Sequence, residues 1–388
     1  MRDEGARSGP LRVAVLGAGT VGREVVRGLL DPQGMLVDRS PGLELAGVAV
    51  RDAGHPRARL KAIGAGIAEE LLTDAPAHLV ASPDTDVVVE LMGGDEPAHM
   101  LIAAALGAGK SVVTANKHVI AHYGAELEAI ARRTGAALRF EAAVGGGIPV
   151  LGPLATDLAA NRFVEVRAIV NGTTNFILSA MHQAGQGYAE ALSDAQEAGF
   201  AEADPTADVE GIDAANKLVI LARLAFGAWL DPETIERAAP RDDGLEKAAG
   251  ITGVSAEDVA AAEAAGSVIK LIAQAQHRKT RSGDDDRIAA AVVPSVVRAI
   301  SSLGRVSGTD NRIELHGNPI GQVAFEGPGA GGRATSSAVL ADVLALARGA
   351  GSTWGALKAA TGPHAAVEMS FKAAKQSYPS GARYPELA

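Results

Sequence analysis

Short, nearly continuous apolar runs alternate with helix-spaced stretches through the first part of the chain. Leu11–Leu16 reads as a buried strand, and Val21, Val25, Val26 and Leu29 then recur at helical spacing. Further strands are predicted over Leu43–Val50, Val87–Met92, Ser111–Ala115 and Ala136–Phe140. Helices are predicted from Pro97 through Leu106 and from His118 to Arg133. Strands without alternation are buried on both faces, as in a parallel sheet covered by helices. After about residue 148 the pattern changes. Phe163–Val170 alternates like a strand with one face buried, and helices follow over Phe176–Gln183, Tyr188–Ala198 and up to Gly227. Residues 231–266 read as further helix with breaks. Val268–Ala275, Ile288–Pro294, Arg312–His316 and Gln322–Phe325 then read as strands of a mixed or antiparallel sheet. Ala334–Leu346 is an Ala-rich helix expected to return to the first domain.

These patterns give an α/β domain over 11–148 and an α+β domain with a mixed sheet over 149–326. A returning helix spans 327–348. A flexible N-terminus (1–10) and a partly ordered tail (349–388) flank them.

The glycines sharpen the first domain. Gly17–Ala18–Gly19–Thr20–Val21–Gly22 lies between the first strand and the first helix. Strand, GxGxxG and helix make the dinucleotide-binding turn of a Rossmann domain. Gly17 allows the turn, Gly19 lets backbone approach a pyrophosphate, and Gly22 lets helix pack on strand. The helix start at Thr20 and Val21 offers free N–H groups. Arg51, at the end of the second strand, suits a 2′-phosphate and favours NADP over NAD, although Asp52 one step later suits ribose hydroxyls. Lys117 follows the strand Ser111–Ala115, at the carboxyl edge where open α/β sheets bind ligands. Glu141 precedes Gly145–Gly146–Gly147, whose carbonyls are free to turn toward a hard cation or to act as a hinge. Gly327–Gly332 is a second glycine turn at a helix start.

Phe200–Leu224 concentrates the chemistry. Pro205 breaks any helix in its first half, and Asp208 is a fair N-cap for the second. Asp213 and Lys217 are four apart and share a face. An exposed ion pair is the bland reading. The same face continues in apolar residues to Leu224, so Lys217 is expected to be half-buried, with its pKa pulled toward neutrality, as suits proton transfer.

Composition narrows the classes. The 388 residues are 47% hydrophobic and 21% charged, as in a soluble globular protein. Net charge is −10 with no basic run, which argues against nucleic acid. The chain has no cysteine, which excludes disulfides and thiol nucleophiles. Met1–Pro10 lacks an apolar core, so no signal peptide is expected. No apolar run reaches the ~18 residues that suggest a membrane span. A cytoplasmic enzyme fits. His99, His118, His122 and His182 show no carboxylate partner at a fixed spacing, against a histidine-dependent 2-hydroxy acid dehydrogenase.

Together these pieces resemble monofunctional homoserine dehydrogenase. The matching segments are Gly17–Gly22, Val88–Gly94, Thr114–Lys117, Glu141–Pro149, Val170–Phe176, the stretch from Phe200, and Gly327–Gly331, in family order over roughly 11–345. The resemblance implies interconversion of L-homoserine and L-aspartate 4-semialdehyde with NAD(H) or NADP(H), on the route to threonine, methionine and isoleucine. It implies Lys217 as general acid/base, Lys117 as a second catalytic lysine near the cofactor, and Glu202, Asp208 and Asp213 as substrate-binding carboxylates. Glu141, Val144, Gly146 and Ile148 resemble the family's sodium site, and Gly331 a late cofactor contact. It further implies a homodimer or homotetramer built on the second domain. About 40 residues follow the last helix, too few for a regulatory ACT-type domain of ~50 or more, so threonine feedback through one is not expected. A kinase domain fused ahead of Gly17 is likewise not expected. The alternatives are another Rossmann-type dehydrogenase of a small carbonyl compound and a non-catalytic dinucleotide sensor.

Overall fold

The computed structural model describes residues 9–31, 42–51, 67–238, 248–279, 286–360, 363–369, 384 and 387. Contacts divide the chain into two compact units: Met1–Gly147 with Ala330–Ala359, and Ile148–Gly329 with Ala360–Ala388.

The first unit begins β1 (Leu11–Leu16), α1 (Thr20–Leu30), β2 (Leu43–Ala49), β3 (Leu72–Thr73), α2 (Pro76–Ala81) and β4 (Val87–Glu90). It continues α3 (Ala98–Gly107), β5 (Ser111–Thr114), α4 (Lys117–Thr134) and β6 (Leu138–Arg139). The second unit holds α5 (Leu151–Ala155), β7 (Arg162–Ile169), α6 (Gly172–Ala184), α7 (Tyr188–Glu197), α8 (Thr206–Val209) and α9 (Ile212–Phe226). Then come α10 (Ala256–Ala264), β8 (Ser267–Lys279), β9 (Asp286–Arg298), β10 (Asp310–Asn318) and β11 (Gly321–Pro328). The last helix, α11 (Gly332–Ala347), belongs to the first unit.

In the first unit six parallel strands lie in the order β3-β2-β1-β4-β5-β6. This is the doubly wound dinucleotide-binding order, and the strand sequence reverses between β1 and β4. Val13, Val15, Val48, Val87, Val89 and Val113 form the sheet's share of the core. Val25 and Val26 of α1 and Ala338, Val339 and Val343 of α11 pack with them. An ideal Cβ on Gly28 would lie 2.7 Å from Leu340 Cδ1, and one on Gly332 would lie 2.9 Å from the Thr20 carbonyl oxygen. The two helices therefore run parallel, with their N-termini side by side.

The second unit carries the sheet β11-β10-β7-β8-β9. Its named strands pair antiparallel throughout. Among the described residues, single parallel bridges reach β9 from Glu236 to Ala291 and from Val367 to Ala289, and another joins Leu230 to His364. Helix α9 is buried along most of its length and packs on β7 and β8.

One reading needs correction. In 231–266 the described residues hold one α-helix, α10, and a 3₁₀ turn at Pro232–Thr234; Ala238 bridges Ala249 instead of continuing a helix. Residues 239–247 lie outside the described residues. The segment read as a tail is anchored at several points. Thr353 Oγ1 accepts from Phe140 N at 3.0 Å, and the buried Trp354 ring lies 6.1 Å from Phe140. Farther on, Tyr384 donates to the Gly253 carbonyl at 2.8 Å, and Leu387 N to that of Val296 at 3.0 Å. Single anchors of this kind leave no periodicity to read.

Candidate functional site

In the second unit a buried polar cluster forms where β7 meets α6 and α9. Gly211, left-handed at φ 79°, separates α8 from α9. Asp208 lies inside α8 and does not cap α9; the glycine kink takes that position, and Asp208 is turned to other work. Lys217 Nζ donates to Asp213 Oδ2 at 2.7 Å and to the Val170 carbonyl at 2.6 Å. Side-chain exposure is 11% for Lys217 and 7% for Asp213, which rules out a solvated surface pair. The shared helix face supplied the spacing, and the end of β7 supplied the lid.

Asn171, next after Val170, organises the rest. Its Nδ2 donates to Asp208 Oδ1 at 2.7 Å and to Asp213 Oδ2 at 2.9 Å. Its Oδ1 accepts from Thr174 N at 2.8 Å and caps α6. Burial pushes the Asp208 carboxyl above its ordinary value; the nearby Asp213 charge adds to this and the Asn171 bond opposes it. Asp208 and Asp213 bring two carboxylates to the Lys217 ammonium, groups that suit charge-assisted hydrogen bonds to a cation. Thr173 ties the loop in by donating to the Phe200 carbonyl at 2.6 Å. Glu202 is exposed on that loop, outside this hydrogen-bonded set.

In the sequence, Asn171 lies in a polar turn ahead of a helix, where its amide could bind a small polar substrate or cap that helix. Nothing in the sequence pointed to Lys270 on β8, whose buried Nζ donates to Asn175 Oδ1 (2.9 Å), Ser179 Oγ (3.3 Å) and the Val306 carbonyl (2.6 Å). Burial without a counter-charge lowers its pKa to about 8. His182 and His99, for which the sequence showed no carboxylate partner at a fixed spacing, each lie beside one. His182 Nδ1 lies 3.2 Å from Glu263 while Nε2 accepts from Ile269 N, and His99 Nδ1 lies 3.0 Å from Glu96. The His182 contact comes from distant sequence, so spacing could not reveal it.

In the first unit, Gly17 is left-handed at φ 102°, and a Cβ there would meet the Leu91 carbonyl oxygen at 2.6 Å. A Cβ on Gly22 would lie 1.9 Å from the Gly17 carbonyl oxygen. Gly19, the N-cap of α1, has nothing within 4 Å, and Gly331, the N-cap of α11, is equally open. Neither helix has a side-chain cap or an acidic residue in its first turn. Two adjacent helix N-termini without side-chain caps present free N–H groups and positive dipole ends, which suit an anionic group. Thr20 and Val21 open α1 at that point. Arg51 is exposed just past β2, and Asp52 lies outside the described residues. Lys117 is the first residue of α4, whose cap is Asn116 Oδ1, accepting from Val119 N at 3.2 Å.

Glu141 opens a 3₁₀ turn and is buried; its N–H donates to Asp342 Oδ2 at 2.9 Å. Gly145 and Gly146 beyond it are both left-handed, at φ 70° and 59°. Among the described residues, no group of three or more His, Asp or Glu side chains could hold a metal ion. A cation here would depend on carbonyl oxygens, with Glu141 as the charged ligand.

Comparison with known proteins gives the same picture over most of the chain. The family model "Homoserine dehydrogenase" matches residues 149–344, and "Homoserine dehydrogenase, NAD binding domain" matches 17–141. Homoserine dehydrogenase of Corynebacterium glutamicum is 43% identical over 337 residues, covering 87% of this chain and 72% of that protein. The crystal structure of a homoserine dehydrogenase from Thiobacillus denitrificans superposes with a TM-score of 0.78 at 38% identity, over 87% of this chain and 73% of that one. A hyperthermophilic archaeal homoserine dehydrogenase in complex with NADPH superposes with a TM-score of 0.68 at 27% identity, over 87% and 97%.

Proposed function

The chain belongs to the homoserine dehydrogenase family and is an NAD(P)-dependent oxidoreductase that interconverts L-homoserine and L-aspartate 4-semialdehyde; within it, we propose that Lys217 is the general acid/base. The buried Asp213–Lys217 pair, held at 2.7 Å and tethered to Val170, carries this reading. Bound cofactor supplies the hydride. As the aldehyde carbon is reduced, its oxygen becomes an alkoxide, and Lys217 donates a proton to it; in the other direction the neutral amine takes the hydroxyl proton. Asp213 and Val170 take two of the three ammonium hydrogens and aim the third. Asp208 and Asp213, with Glu202 from the loop, bind the substrate's α-ammonium by charge-assisted hydrogen bonds.

On the cofactor side, Gly17, Gly19, Thr20, Val21, Gly22 and Gly331 line the phosphate cradle, and Lys117 acts as a second catalytic lysine near the nicotinamide. NADP is the favoured cofactor, read by Arg51; the NADPH complex of the archaeal relative supports this. Glu141, with the carbonyls of Val144, Gly146 and Ile148, holds a sodium ion; the paired left-handed glycines support that reading. The enzyme works in the cytoplasm as a homodimer or homotetramer. Among the described residues, no helix is long and apolar enough to cross a membrane.

The test is nicotinamide absorbance with L-homoserine and either cofactor. Lys217→Met should cut kcat by roughly 10²–10⁴-fold with little change in cofactor affinity. Undiminished kcat would remove Lys217 from this role. Arg51→Ala should raise KM for NADP more than for NAD, and an equal rise would show that Arg51 does not read the 2′-phosphate.

A further inference from the structure

Glu90 ends β4 and is fully buried. A carboxylate inside a parallel sheet is tolerable only when its oxygens are satisfied. Those oxygens serve two different turns. Oε1 accepts from Met92 N at 2.7 Å and from Gly93 N at 3.3 Å, in the turn after β4. Oε2 accepts from the Thr114 hydroxyl at 2.7 Å, at the end of β5. Thr114 Oγ1 accepts in turn from Asn116 N at 2.9 Å. Asn116 Nδ2 closes the ring by donating to the Gly94 carbonyl at 2.8 Å, while its Oδ1 caps the helix that begins at Lys117. Gly93 and Gly94 are both left-handed, and an added Cβ on either would find nothing within 4 Å. Leu91 anchors the start of this turn on the core, while Gly93 and Gly94 carry no side chain to pack and are held through the hydrogen-bonded ring.

We propose that Glu90 is a positioning residue of the cofactor half of the site, fixing the Gly93–Gly94 turn and, through Thr114 and Asn116, the backbone that presents Lys117. This rests on the reading of Lys117 as a catalytic lysine. The two backbone N–H groups at Oε1 can only donate, and the Thr114 hydroxyl donates to Oε2, so a carboxylate serves all three. Glutamine has the same shape, but with its oxygen on the two N–H groups its N–H₂ faces Thr114, whose hydroxyl must turn to accept and loses its own acceptor. Burial pushes the Glu90 carboxyl upward and the surrounding donors oppose that shift, so the network works to keep it ionised.

The experiment compares Glu90→Gln, Thr114→Val, their double variant and Lys117→Met as full chains. Thermal midpoint, NADPH fluorescence titration, steady-state kinetics and amide hydrogen exchange are read for each. Glu90→Gln should lower kcat at least about tenfold, keep KM for L-homoserine within about twofold, and speed exchange at Met92 and Gly93. The double variant should lose no more than the worse single, because both cut one ring. If Lys117→Met loses activity and Glu90→Gln does not, the role of Glu90 is overturned and that of Lys117 stands. If Lys117→Met retains full kcat, the Lys117 reading falls and this proposal with it. A Glu90→Gln loss matched by a smaller fraction of NADPH-binding protein, with kcat per site unchanged, would reduce Glu90 to a sheet-stabilising residue and overturn the proposal.

Discussion

Among the described residues of the second unit, two lysines are buried, and their partners separate their roles. Lys217 faces a carboxylate. Lys270 faces an amide oxygen, a hydroxyl and a carbonyl, and burial lowers its pKa from 10.5 to about 8. The folded chain therefore gives up this proton before the unfolded chain does. Below about pH 8 both states hold it and the burial penalty is fully present. From about pH 8 to 10.5 the unfolded chain binds more protons, so this group's contribution to stability rises with pH. Urea midpoints measured across that window should show the rise in the wild-type chain and lack it in Lys270→Met; identical slopes would contradict the assignment. Lys217 was legible in the sequence because Asp213 stands one turn before it on an apolar stripe. Asn171 was not, since an asparagine before a helix reads equally as a cap, and its second task depends on carboxylates brought from another part of the chain.

Among the elements, the turn from β1 to α1 separates two kinds of glycine. Gly19 has φ −70° and open space, so alanine fits the fold there. Gly19→Ala should keep the thermal midpoint and weaken NADPH binding about tenfold, as a methyl group enters the phosphate approach. Gly22→Ala should lower the midpoint itself, because its Cβ would fall 1.9 Å from backbone oxygen. Calorimetry and fluorescence titration together check both outcomes, and the reverse pattern would refute the cradle. Boundaries of apolar strands were legible to within a residue or two at β1, β2 and β5. The long strands β8 and β9, each 13 residues, outran the expected Val268–Ala275 and Ile288–Pro294. Their pairing continues through polar positions such as Gln276, His277 and Arg278, where hydropathy falls silent. The parallel contact of α11 with α1 was equally silent, because it joins helices far apart in sequence.

For the molecule as a whole, chain order and structural units diverge. The first unit is completed only by Ala330–Ala359, which brings Val339 and Val343 onto Val25 and Val26. A chain ending at residue 147 should therefore expose apolar surface, bind a hydrophobic dye and fail to bind NADPH. Joining residue 147 to residue 330 should restore both compactness and binding. The join is short, since a Cβ on Gly147 would lie 3.0 Å from that of Ala334. If the shorter piece folds and binds alone, α11 is dispensable. The doubly wound order followed from the alternation of runs and helices, and the last helix was expected to return to the first domain, whereas its packing on α1 rests on side-chain contacts that hydropathy does not encode.

The side-by-side starts of α1 and α11 also set a schedule for biosynthesis. The first of these ends leaves the ribosome early, and the second only after the whole intervening unit has been made. On the proposed cofactor reading, a nascent chain carries only one of the two helix ends until the second unit has been made, and tight cofactor capture is expected to await a polypeptide made at least through residue 347.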